Sequence, residues 1–99
     1  MALQINADVQ TTDGFTVRPF VFLDIQLYNG FSRAILSYYK DEASYLEGKS
    51  TVNVSLPNLA QVELTSQEFF GPELAMLFHN EAIKVIEETT GPGTVVVIQ

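Results

Sequence analysis

The chain has 99 residues, enough for one domain with one modest core. It has no cysteine, which excludes a disulfide framework or a thiolate metal site and fits a reducing compartment. Its formal net charge of −7 disfavours nucleic-acid phosphates and anionic membranes.

The N-terminus, Met1-Ala2-Leu3-Gln4-Ile5-Asn6, lacks a basic segment followed by an apolar one, so no signal peptide is expected. No apolar run is long enough to span a membrane. Gln4–Val9 is expected to form a short first strand, with Leu3, Ile5, Ala7 and Val9 alternating against polar neighbours. Thr12-Asp13-Gly14 then signals a turn.

The stretch Thr16–Lys40 organises the rest. Two apolar runs flank Asn29-Gly30, both residues that accept the positive φ of a type I′ turn. That turn pairs Tyr28 with Phe31, Ile25 with Ala34, Leu23 with Leu36 and Val21 with Tyr38. One face then carries Val17, Pro19, Val21, Leu23, Ile25, Leu27, Ala34, Leu36 and Tyr38, and is the expected core. Pro19 cannot donate to a ladder, so an edge or bulge is expected there. The opposite face is mixed. Asp24 and Arg33 are diagonal neighbours able to pair. Aromatic clusters stand at its two ends, Tyr28/Phe31 and Phe20/Phe22/Tyr39, and need cover from this chain or from another protein.

Asp41–Lys49 predicts a short helical turn, with Asp41 as cap and Gly48 as stop. Thr51–Leu56 and Ala60–Leu64 alternate as strands, broken by Pro57-Asn58. Thr65–Phe70 is a connection anchored by Phe69-Phe70. Pro72–Glu88 predicts the one long helix, with Pro72 at its first position. Its apolar residues fill an arc of roughly 200°, with Leu77 intruding on the polar side. A helix on one sheet needs roughly 100°. The excess, marked by Met76 and Ile83, implies either a partner or strands flanking the helix on two sides. Gly91-Pro92-Gly93 ends the helix, and Thr94–Ile98 predicts a strand buried on both faces, in this sheet or in a neighbour's. The expected fold is α+β: an antiparallel sheet of four to six strands, a central long hairpin and one long C-terminal helix packed on one face, in a single domain over residues 1–99.

The patterns that carry chemistry are absent. His79, the only histidine, falls in the apolar arc without a cysteine, second histidine or nearby carboxylate, and reads as a core or interface residue. Glu87-Glu88 and Asp41-Glu42 are adjacent pairs that point apart on a helix, so they are solvated surface or helix-end charges rather than an acid/base pair. Gly91-Pro92-Gly93 lacks the lysine and following helix of a phosphate loop. Arg18, Arg33, Lys40, Lys49 and Lys84 are too scattered for a nucleic-acid face. No catalytic, cofactor or metal residue is predicted, and no cofactor or small-molecule substrate.

The segment Tyr38-Tyr39-Lys40-Asp41-Glu42-Ala43-Ser44-Tyr45-Leu46-Glu47-Gly48-Lys49 resembles small structural proteins of tailed-phage virions. In that group a strand ending in aromatics runs into a short acidic segment, then Gly-Lys and another strand. The polar start and the lack of cysteine are similar too. The resemblance covers about a tenth of the chain and carries over no functional residue. It implies a non-enzymatic virion subunit at the neck, tail, baseplate or capsid surface and does not select among these; the leading expectation is neck or tail, with assembly in the host cytoplasm from copies of itself and other virion proteins. The expected interface residues are the face aromatics Phe20, Phe22, Tyr28, Phe31 and Tyr39, the helix margin Met76 and Ile83, and Val95 and Val97 of the last strand. The alternative is a small acidic inhibitor or adaptor acting on a basic partner.

Overall fold

The computed structural model describes residues 2–28, 31–63 and 72–98, with the backbone alone at 27, 28, 31, 61–63 and 72–74. The elements run β1 (Ala2–Ile5), β2 (Val9–Gln10), β3 (Thr16–Val17), β4 (Phe20–Tyr28), β5 (Phe31–Tyr39), α1 (Glu42–Leu46), β6 (Leu59–Glu63), α2 (Pro72–Thr90) and β7 (Val95–Ile98). A five-stranded antiparallel sheet has the order β6-β5-β4-β1-β7, and β2 and β3 form a separate small ladder. This is the expected α+β fold.

The central hairpin has the predicted register from Phe20↔Tyr39 to Tyr28↔Phe31. The Asn29-Gly30 turn that the sequence makes responsible lies outside the described residues. Alternation puts Val21, Leu23, Ala34, Leu36 and Tyr38 in the core, where they meet Leu3, Ile5 and Ala60 of neighbouring strands. From α2, Phe78, Ala82 and Ile86 close this face; spacings of four residues bring them onto one stripe. The helix extends two residues beyond the predicted Glu88, to Thr90. Gly91 and Gly93, both at positive φ, then turn the chain into β7.

Several expectations are corrected. The first strand occupies Ala2–Ile5 rather than Gln4–Val9. Asn6 follows it as a break, and Val9–Gln10 joins the small ladder instead. Pro19 separates β3 from β4, consistent with its missing donor. Thr51–Leu56 keeps its alternation, since Val52, Val54 and Leu56 pack on the core, but it forms only an isolated bridge, Thr11↔Val54. Its backbone is shared between two neighbours: Val52 N–H donates to Tyr38 O at 2.8 Å, and Asn53 O accepts from Thr12 N–H at 2.9 Å. The strand predicted over Ala60–Leu64 runs from Leu59 to Glu63. Thr65–Phe70, with Phe69 and Phe70, lies outside the described residues. Leu77 packs on the core cluster instead of standing on a polar face.

β7 is an edge strand, not a strand buried on both faces. Among the described residues it pairs with β1 alone, Ile5↔Val95 to Ala2↔Ile98. Its side chains therefore divide. Val95 and Val97 turn to the helix side, and Val96 and Ile98 to the outer face.

Candidate interaction surface

The outer face of the sheet is built around one side chain that sequence reasoning did not single out, Tyr45. Asp41 starts α1 by accepting the Ser44 N–H at 2.7 Å. This bond, then the Ser44 hydroxyl, holds the Asp41 carboxyl below the usual carboxylate range. The helix is anchored so that Tyr45 lies over the end of the hairpin. Its ring centroid is 5.1 Å from Phe20, 5.3 Å from Phe22 and 5.2 Å from Tyr39, at spacings typical of favourable aromatic pairs. The aromatics at this end are thus covered by the chain's own helix. The available signal was positional: aromatics on an apparently wet face need a lid, and α1 brings the next aromatic along the chain.

The lid is incomplete. Leu46, the residue after Tyr45, is 72% exposed. Between it and the β7 edge lies a cleft of about 180 Å³ lined by Ala2, Phe20, Phe22, Glu42, Tyr45, Leu46 and Ile98. Val96 adds a 40% exposed apolar side chain on the same face. Asp41 and Glu47 stand exposed at the two ends of α1, Asp41 near Lys40 and Lys49 and Glu47 paired with Lys49 at 3.0 Å. The surface is therefore an apolar trough with charges of both signs around the helix above it.

The edge beside the trough carries backbone groups. Asn6 N–H donates to Thr94 O at 2.7 Å, which fixes the alternation of the β1–β7 ladder. Thr94, Val96 and Ile98 face β1 with their amides and carbonyls, whereas Val95 and Val97 present theirs outward. Glu87 accepts the Val95 N–H at 3.2 Å through its carboxylate. It is thus a half-buried helix-end charge that also holds the start of the strand. The outward groups of Val97 have no partner strand among the described residues.

The expected interface residues are placed unequally. Phe20 is 3% exposed beneath Tyr45 and Val95 is 7% exposed in the core, so neither offers surface to a neighbour in the free chain. Phe22 and Tyr39 are half-covered by Tyr45. Ile83 and Val97 are half-buried against the core, and Met76 is exposed. The side chains of Tyr28 and Phe31 lie outside the described residues. The sequence reading missed Leu46, and it took the wrong parity in β7, where Val96 and Ile98 rather than Val95 and Val97 face outward.

Elsewhere, a hollow of about 420 Å³ lies between the β2–β3 turn and residues 51–53, with Phe15 exposed beside Lys40. His79 is buried in α2, its Nδ1 2.6 Å from Ala75 O, an arrangement that makes Nδ1 the protonated ring nitrogen. Its Nε2 has no partner among the described residues. Among those residues no cluster of three or more His, Cys, Asp or Glu could hold a metal ion, and no helix is long and apolar enough to cross a membrane. No protein-family model, curated protein or solved structure matches the chain.

Proposed function

We propose that this chain is a non-enzymatic structural subunit of a tailed-phage virion, placed at the neck or tail, that packs against copies of itself and other virion proteins. The observation that carries the reading is apolar surface left uncovered on both sides of the fold. On the outer face it is Leu46 and Val96; on the helix side it is Met76. A subunit held in a ring or tube has neighbours on more than one side, and apolar and Met-bearing patches suit such contacts. The virion setting rests on the resemblance of Tyr38–Lys49.

Met76, Asn80, Ile83 and Glu87 fall along one stripe of α2 with Lys84 beside it, so charge is mixed there and a second copy is tolerated. Sedimentation velocity over a wide concentration range tests the self-contact. The expected result is an oligomer that Met76→Glu with Ile83→Glu returns to monomer while the fold is kept. A chain that stays monomeric throughout ends this reading of the helix stripe. Locating the chain in an electron-microscopy density of whole particles tests the setting.

A further inference from the structure

We infer that the β7 edge takes up an extended segment of a partner polypeptide, apolar on its outer-face side and basic on its helix side, which adds as a sixth strand through the backbone of Val97. The backbone argument comes first. Val97 points its N–H and C=O away from β1, no strand among the described residues pairs with them, and another extended chain would satisfy both in register. Val95 is less open, because Glu87 already holds its N–H.

The side chains then define the segment. A residue of the added strand on the outer face lies beside Val96 and Ile98, next to the trough under Leu46, and must be apolar. A residue on the opposite side approaches the Glu87 carboxylate, which its bond to Val95 fixes at the edge. Lysine or arginine suits that position. A second copy of this chain fits poorly: its own β7 reads Val-Val-Val-Ile and brings no cation, and each chain carries −7. This inference goes beyond the subunit reading and rests on the β7 edge rather than on Met76 and Ile83.

The test uses the full chain and a synthetic peptide of alternating valine and lysine. Titration is followed by amide shifts and calorimetry. The expected result is binding that moves the β7 amides. A peptide of alternating valine and glutamate should bind weaker by on the order of tenfold or more. Val97→Pro removes only the outward N–H and leaves the β1 ladder its bonds, and should weaken binding by a similar factor. Leu46→Lys, at an exposed position, should weaken it independently and covers the case in which Val97→Pro perturbs the strand. Three results would each overturn the inference. One is equal binding of a composition-matched peptide without alternation. Another is unchanged affinity in both variants. The third is a dimer of the chain itself that Val97→Pro dissolves, which would give the edge to a second copy.

Discussion

Tyr38 ties the core to the segment that leads into β6. It is buried, and its hydroxyl donates to the Pro57 carbonyl. Burial pushes its phenol above the usual tyrosine value. The folded chain therefore keeps a proton that the unfolded chain releases near pH 10. Stability from this group is fully present below about pH 10 and drains as pH rises further. Tyr38→Phe should cost about 1 kcal/mol at neutral pH and flatten that alkaline decline, both read from urea unfolding. His79 predicts the opposite sign. Its Nε2 is buried without a partner among the described residues, so His79→Leu should raise stability by about 1 kcal/mol in the same assay. The core position of His79 was legible, because it falls within the apolar arc of the helix. The orphaned nitrogen was not, since a sequence does not say what surrounds a ring.

At the scale of elements, α1 shows how a local cap sets a tertiary contact. Asp41→Ala removes the acceptor for Ser44 N–H and should fray the helix and loosen Tyr45 from Phe20, seen as lost ring-current shifts. Because the Asp41 carboxyl is held below its ordinary range, its contribution is present above about pH 4 and fades as pH falls through the lowered value. Tyr45→Ala deletes three ring contacts and should cost about 2–3 kcal/mol in thermal or urea unfolding. The hairpin was legible to the residue because alternation and turn chemistry point to one register. Thr51–Leu56 was half legible. Its alternation survives in the packing of Val52, Val54 and Leu56, but whether such a segment finds a ladder depends on neighbours remote in sequence. The outer-face trough was legible only as a problem, aromatics in need of cover. Its solution joins α1 to β7, and no periodicity encodes that meeting.

At the scale of the whole molecule, strand order decides which surfaces stay open. β1 sits inside the sheet between β4 and β7, so among the described strands the edges fall to β6 and β7. A run of β-branched residues looks the same in sequence whether it is central or at the rim, and for this reason Thr94–Ile98 was read as buried on both faces. Deleting residues 95–99 should remove Val95 from the cluster it shares with Leu3, Ile5 and Ile86 and leave β1 exposed. The expected outcome is loss of a single cooperative unfolding transition, checked by calorimetry, with aggregation on heating.

The place of β1 also has a consequence for biosynthesis. Residues 2–5 are made before both of their neighbours: β4 can cover one flank once the hairpin exists, but the other flank waits for residues 95–98. Until those residues are made the nascent chain therefore displays a naked, greasy ribbon beside a half-built hydrophobic layer. A stalled or shortened product should be sticky where the finished one is not, and chaperone retention of ribosome-bound chains should end only once the last strand has emerged.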